Sequence, residues 1–260
     1  IITSGDLGGG LIPTEYATQI IQDAPKSSVS LTRMRQIRMS TRTRTQPVLD
    51  SKPIAYWVGG DTGLKQTTKM KWSGLSITAE ELAAIVPIPE AVIADSGIPI
   101  WPEVMPRLAA ALGYKLDQAT LFGVDKPSSF PDGIIPQAIT AGNTLTQGKD
   151  LAKDVASMGQ KLAEQGFAMN GFASKPGLNW ELIGLRNANG TPIYVPSLAS
   201  GAPSTLYGFG LNEVDNGAWD TTKAVLLGAD WSNFVVGIRQ DITYKLLDQA
   251  VITDDDGKVI

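Results

Sequence analysis

Residues 108–135 read LAAALGYKLDQATLFGVDKPSSFPDGII, and the two halves of this stretch have different patterns. In the first half, apolar side chains recur at helical spacing, which predicts a long helix that starts between Pro102 and Pro106 and ends at Gly123. We expect Pro106 in the first turn, because a proline deeper in a helix costs about 3 kcal/mol. The second half, with residues 125–142, is rich in Gly and Pro and predicts turns. The apolar stripe comprises Val104, Met105, Leu108, Ala111, Leu112, Leu116, Ala119 and Phe122.

The chain after this helix alternates between helical and strand patterns. Apolar residues spaced by 4, 3 and 4 predict a second amphipathic helix over residues 150–165, with Gly166 as its stop. A compact α/β segment with turns at 175–177 and 189–190 then runs to about Gly217. Residues 224–227, 234–237 and 242–247 are predicted strands, and the first two are expected to be joined across residues 228–230.

Residues 38–72 predict a projecting hairpin. Ser40, Arg42 and Arg44 alternate with three threonines, so a strand here would have polar groups on both faces and could not cross a core. Glycines at residues 59–63 predict the tip, and residues 65–72 the return strand. An isolated hairpin is marginally stable in water, and its edges invite pairing with other chains. We therefore expect a partner to cover this arm.

Composition excludes several kinds of site. The chain has 260 residues and contains neither His nor Cys, which removes Cys or His nucleophiles, His/Cys zinc sites, thiol redox chemistry and disulfides. No run of about 18 apolar residues, the length of a membrane span, is present. Paired acids for glycoside chemistry could be Glu80 with Glu81 or Glu90 with Asp95, but capping and solvated roles are favoured. The acidic run at residues 254–256 indicates a turn, because it lacks the alternating ligands of a calcium loop.

The charge of the chain is unevenly distributed. Residues 26–71 contain ten basic and two acidic groups, a balance of +8 in a chain whose net charge is −4. Such a stretch could bind nucleic acid. Only Tyr56 and Trp57 are available there for stacking on bases. The favoured interpretation is an arm that meets the acidic surface of a neighbouring copy.

The order of these pieces resembles the major capsid proteins of tailed bacteriophages, the phage capsid family with the Hong Kong 97-type fold. The resemblance rests on GGGLIPTEYATQII at residues 8–21, VPIPEAVIADSG at 86–97, the quoted helix and exit, and VLLGADWSNFVVGIRQDITYKLL at 225–247. It also includes NWELIGLRNANGTPIY at 179–194 and TLYGFGLNEVDNG at 205–217. No single piece is specific, so the order and spacing of the pieces are the argument.

The resemblance implies an α+β fold with five parts. These are an N-terminal arm and short helix (1–37, helix at 15–22), an extended β-hairpin loop (38–72), a peripheral domain with a long spine helix (73–136), an axial domain (137–232) and return strands of the peripheral domain (233–260). The family ends with a further strand, so the chain is expected to be incomplete at its C-terminal end. The absence of an initial Met is expected to reflect processing or trimming.

The resemblance also implies a structural protein, not an enzyme, with no cofactor, metal or catalytic residue. Pentamers and hexamers would form an icosahedral shell that encloses double-stranded DNA without sequence-specific binding, in the virion after assembly in the host cytoplasm. Portal, scaffold and protease proteins of the phage head are the other expected partners, and no membrane is expected. The candidates for contacts between subunits are Arg42, Arg44, Lys65, Lys69 and Lys71.

Two other functions stay open. One is an encapsulin, a bacterial shell protein of the same fold with protein cargo, and the other is a carboxylate-dependent hydrolase. Some capsid proteins cross-link an extended-loop Lys to a neighbouring Asn with the help of a Glu. Lys65, Lys69 and Lys71 lie in that loop, but the Asn and Glu cannot be matched, so cross-linking is not predicted.

Overall fold

The computed structural model describes residues 28–58, 67–88, 100–148, 150–187, 189–194 and 204–245. The helix predicted at residues 15–22, the hairpin tip at 59–63, and the acidic run at 254–256 lie outside them, as do Glu90, Asp95 and Lys65. The described residues mix helices with strands of both pairing directions, as expected of the α+β class.

In the N-terminal half, the described residues form one short helix, three strands and the long helix. These elements are α1 (Val29–Arg33), β1 (Arg35–Arg38), β2 (Thr43–Ser51), β3 (Lys71–Thr78) and α2 (Ile100–Asp117), which continues as a π-helical turn (Gln118–Phe122). The C-terminal half contains α3 (Ile134–Thr140), α4 (Leu151–Glu164), β4 (Gly171–Ser174), α5 (Leu178–Gly184), β5 (Thr205–Leu206), β6 (Phe209–Glu213), β7 (Leu226–Ala229) and β8 (Val235–Ile238).

The predicted long helix is confirmed, but it starts earlier than expected. Because α2 begins at Ile100, Pro102 occupies the first turn and Pro106 lies inside the helix, which makes the prediction for Pro106 wrong. A proline at that position cannot donate to the carbonyl of Pro102, four residues earlier. The helical run ends at Gly123, whose φ of +67° places it in the left-handed region that terminates helices.

The predicted apolar stripe of α2 only partly matches the buried surface. Ala119 and Phe122 are buried, whereas Ala111 is exposed. The buried positions also include Gly113 and Asp117, which no apolar pattern would select. The second amphipathic helix is confirmed as α4, with Asp150 as its N-cap and Gly166 just beyond its end at a φ of +81°.

Within the part of the chain that the structure describes, the strands form three separate sheets. β1 pairs with β8 in parallel, β2 pairs with β3 antiparallel, and a four-stranded sheet has the order β5-β6-β4-β7. The central strand β4 is fully buried, parallel to β6 and antiparallel to β7. Sheet formation therefore ties the first described strand to the last one.

Two predictions for the late strands are wrong. Gly228 and Ala229 belong to β7, although they were expected to join it to the next strand, and the connection is Asp230 with a 3₁₀ turn at Trp231–Asn233. Gly228 is there for packing: a Cβ atom on it would lie 2.6 Å from the sulfur of Met158 and 2.7 Å from that of Met169. The described part of the third predicted strand, residues 242–245, is not a strand.

Two apolar cores support this architecture. One surrounds the end of the long helix and includes Leu121, Phe122 and Trp231. The other lies where α4 and α5 pack on the four-stranded sheet and includes Val155 and Phe172. The indole N–H of Trp231 donates to the Gly171 carbonyl at 3.1 Å, so its polar atom is satisfied inside the first core. Within the described ranges, no helix has the length and apolar character needed to cross a membrane.

Candidate functional site

The hairpin of β2 and β3 stands away from both cores. Its register runs from Thr43 opposite Thr78 to Ser51 opposite Lys71, with an irregularity after Leu49. Of the described residues between Thr43 and Ser76, all are exposed except the half-buried Gln46. The hairpin predicted from the sequence is thus present, although its return strand is Lys71–Thr78 where residues 65–72 were expected.

The hairpin exposes large apolar side chains on both faces. Leu49 lies opposite Trp72, while Val48 and Leu75 lie on the other face because successive residues of a strand point to opposite sides. Trp72 is 59% and Leu75 57% exposed. The hairpin was predicted from the polar residues 40–45, and these four apolar side chains were not predicted as part of a contact surface. Part of the signal was present, since Val48 and Trp72 are residue types enriched in strands, where they pack against neighbouring side chains.

The chain that continues from β2 extends this apolar surface. Ile54 is 63% exposed, and Trp57 is fully exposed. Tyr56, Val58 and Met70 are also exposed. Monomeric soluble proteins rarely leave large contiguous apolar patches in water, and such patches mark interaction sites. We call residues 43–58 and 67–78 the arm.

The base of the arm is fixed to the rest of the subunit by polar contacts. Arg42 forms an ion pair with Glu80 at 3.2 Å, and the Ser129 hydroxyl donates to the other oxygen of that carboxylate at 2.7 Å. Arg44 donates to the Arg38 carbonyl at 2.9 Å. Glu80, considered above as one of two paired acids, therefore joins the arm to the loop at Ser129. Arg42 and Arg44 already have contacts within their own subunit.

The lysines lie farther along the arm. Lys71 forms an ion pair with Asp50 at 3.1 Å, and both side chains are largely exposed. Lys69 is exposed, and Lys65 lies outside the described residues. An exposed ion pair contributes only about 0–1 kcal/mol, so the Lys71 pair leaves that side chain available to another partner. The structure places Lys69 and Lys71 on one arm, and their contact with a second subunit stays a prediction.

The shifted pKa values in the described part of the chain all have local structural causes. A hydrogen bond from Lys115 to Asp125 raises the pKa of Lys115, and burial raises the pKa of Tyr194. Hydrogen bonds from the hydroxyl and backbone N–H of Thr222 lower the pKa of Asp220. Among the described residues, no group of three or more Asp and Glu side chains is arranged to hold a metal ion. The arm is accordingly the feature that most needs a functional explanation.

Comparison with known proteins gives consistent matches. The Phage capsid family matches residues 8–259 of the chain. The major capsid protein of Klebsiella oxytoca phage phiKO2 is 23% identical over 274 residues, covering 100% of this chain and 63% of that protein. The chain thus spans less than two thirds of the length of this curated relative.

Solved structures of phage proteins have the same fold. One from Microbacterium phage Oxtober96 is 39% identical with a TM-score of 0.86, over 97% of this chain and 86% of that chain. One from Mycobacterium phage Cain is 33% identical with a TM-score of 0.84, over 98% and 85%. The capsid of a native GTA particle is 16% identical with a TM-score of 0.68, over 93% and 86%, and shows likeness of fold alone.

Proposed function

The chain belongs to the phage capsid family, and we propose that it is the major capsid protein of a tailed bacteriophage. Copies of the chain would assemble into pentamers and hexamers of an icosahedral shell that encloses double-stranded DNA. The observation behind this proposal is the arm, whose apolar side chains are exposed in the single subunit. Their burial by a neighbouring copy would supply the free energy of assembly.

The fold of the proposed subunit is of the Hong Kong 97 type. The arm corresponds to the extended loop (38–72), although its return strand reaches Thr78. Helix α2 corresponds to the spine helix of the peripheral domain (73–136), and the four-stranded sheet with α4 and α5 to the axial domain (137–232). Residues 1–37 would form the N-terminal arm and 233–260 the return strands. Pairing of β1 with β8 would join the end of the N-terminal arm to the first of the return strands.

Assembly would proceed through contacts between different surfaces of identical subunits. Such heterologous contacts close into rings when the rotation between subunits allows it, and rings can then tile a shell. An arm that projects from one subunit and is covered by the next has this head-to-tail character. Each contact can be weak, because every subunit makes several at once and their effects multiply.

Charge would guide the arm to its position. Arg42, Arg44, Lys65, Lys69 and Lys71 are proposed to contact an acidic surface on the neighbour, for which the net charge of −12 outside residues 26–71 provides candidates. Long-range attraction of this kind affects the rate and register of association more than its final strength. Packaged DNA would be enclosed without base recognition. Other head proteins (portal, scaffold and protease) would be partners during assembly in the host cytoplasm, before the subunit becomes part of the virion.

Electron microscopy and light scattering of the purified full-length protein test the proposal. Rings or closed shells are expected, and a strictly monomeric protein across concentration and salt would contradict it. A variant with a shortened arm tests the role of the arm directly. Because Ser51 lies opposite Lys71, an Asn-Gly turn can replace residues 52–70 and close the hairpin. This variant should fold and fail to form shells. Double-stranded DNA within native particles supports a phage capsid, whereas protein cargo would favour an encapsulin.

A further inference from the structure

One side of the long helical run carries polar side chains at buried and half-buried positions. Gly113, Asp117 and Thr120 are spaced by 4 and 3 residues, so they share one side of the run. Asp117 is 0% exposed. A buried charge is costly unless hydrogen bonds compensate it. The contacts of this face therefore indicate what it is for.

The Asp117 carboxylate accepts hydrogen bonds from four donors. One oxygen accepts from the Ser28 hydroxyl at 2.7 Å and from the Ser30 backbone N–H at 2.9 Å. The other accepts from the Val29 backbone N–H at 3.1 Å and from the Asn216 side-chain amide at 2.7 Å. Three of the donors belong to three consecutive residues, which lie nearly 90 positions away in the sequence. All four are neutral, so the charge is stabilised by dipoles aimed at it.

The rest of the face fits the same three residues. The Ser30 side chain, which is also 0% exposed, forms a 2.7 Å hydrogen bond with the Thr120 hydroxyl. A Cβ atom on Gly113 would lie 3.2 Å from the Ser28 backbone nitrogen, closer than most side-chain contacts. Glycine at 113 thus lets the backbone of Ser28 approach the helix. We call Gly113, Asp117 and Thr120 the seat.

The position of the seat in the chain gives it a role. Ser28 is the N-cap of α1, and Met34, just beyond α1, is buried in the first core. The seat therefore holds the first described residues of the chain, Ser28 to Ser30, against the long helical run. We propose that Asp117 is a positioning residue that fixes α1, and the strand β1 that follows it, relative to the long helical run, and that assembly requires this placement. The second part of this proposal rests on the proposed function.

A carboxylate suits the seat better than any neutral side chain. Its two oxygens together accept all four hydrogen bonds, and each oxygen accepts two. Asparagine would keep one oxygen and place an N–H₂ group against two donors. Asp117→Asn should therefore lose two of the four bonds at nearly unchanged volume, and a buried donor without a partner is destabilising.

Hydrogen exchange of the unassembled protein tests the seat without relying on assembly. In Asp117→Asn, exchange of the backbone amides of residues 29–33 should rise by about tenfold or more, while the amides of β4 stay protected. Asp125→Asn is the matched control, because it removes an exposed carboxylate near the end of the same helical run. It should leave residues 29–33 unchanged. Unchanged exchange of residues 29–33 in Asp117→Asn would contradict the proposed role of Asp117.

A second variant decides the question if Asp117→Asn does not fold. Gly113→Ala replaces glycine by the residue that favours helices most, so the helix itself should become more stable. Its Cβ atom would nevertheless press on Ser28, and exchange of residues 29–33 should rise. Slower exchange in the long helix together with faster exchange of residues 29–33 would show that the contact with Ser28 has been altered while the helix has not been weakened. Slower exchange in both the helix and residues 29–33 would overturn the proposal.

Assembly then tests the positioning role. Shell yield of Asp117→Asn should fall by about tenfold or more relative to Asp125→Asn, in parallel with release of residues 29–33. A released segment with shells of normal yield and shape would overturn the positioning role and leave the seat as a local structural feature. If the unaltered protein forms no shells at all, the proposed function fails. The exchange results still decide whether Asp117 holds residues 28–30 in place.

Discussion

Replacing Ile54 with serine should weaken assembly without unfolding the subunit. The side chain is 63% exposed in the single chain, so it contributes little to the stability of the fold. Complete burial of an isoleucine is worth about 1.5–3 kcal/mol. A neighbour that covers the exposed part would therefore gain about 1–2 kcal/mol, and loss of that gain corresponds to about 5–30-fold in the affinity of one contact.

Light scattering over a range of protein concentrations measures this effect as the concentration at which half of the protein is assembled. That concentration should rise by about 5–30-fold in Ile54→Ser. Ile139→Ser is the matched control, since Ile139 is 51% exposed and lies on α3, outside the arm. Thermal unfolding of both variants should stay close to that of the original subunit, because exposed substitutions usually change stability by less than about 0.5 kcal/mol.

Two results would refute this reasoning. If Ile54→Ser assembles at the original concentration, the arm is not covered in the shell. If Ile139→Ser and Ile54→Ser weaken assembly equally, loss of any exposed apolar side chain weakens assembly, and the arm has no special role.

Three other measurements test the arm and the core. Hydrogen exchange of residues 55–58 and 67–70, which are exposed in the single subunit, should be fast before assembly and slow after it. Equal protection in both states would contradict an arm that is covered. Reversal of Lys65, Lys69 and Lys71 to Glu should lower shell yield in a graded, salt-sensitive way, whereas normal shells with a collapse of DNA affinity would make the arm a nucleic-acid element. Gly228→Ala should lower the free energy of unfolding by about 1–3 kcal/mol, because its methyl group would overlap two methionine sulfur atoms. A denaturant titration measures this change, and unchanged stability would mean that the core can relax.

Much of the local structure could be predicted because its signals lie within short windows. The spacing of apolar residues identified α2 and α4, and Gly123 and Gly166 marked the ends of both helical runs. The alternation of Arg and Thr identified a strand without a core beneath it. These inferences need only the period of each element and the residues that terminate it.

Two predictions that placed a turn or a helix start at a glycine or proline were wrong. Gly228 was assigned to a turn but lies in β7, where it makes room for two methionines from other elements. Pro106 was assigned to the first turn, whereas Pro102 takes that position. Glycine can serve a turn or a close packing contact within a strand, and two prolines four residues apart can each open a helix. The surrounding sequence does not distinguish these cases.

The sequence by itself determined the two longest helices (α2 and α4), the arm and the resemblance to a capsid subunit, because these depend on periodicity and on the order of segments. It predicted turns over residues 125–142, where α3 lies. Only the tertiary structure decided which polar residues are buried and which distant strands pair. In the sequence, Asp117 is one charged residue of a predicted helix. In the structure, Ser28 and Asn216, about 90 and 100 positions away, donate hydrogen bonds to it. Likewise β1 and β8 pair across some 200 residues. Such contacts depend on how distant segments meet in space, and no local pattern records that meeting.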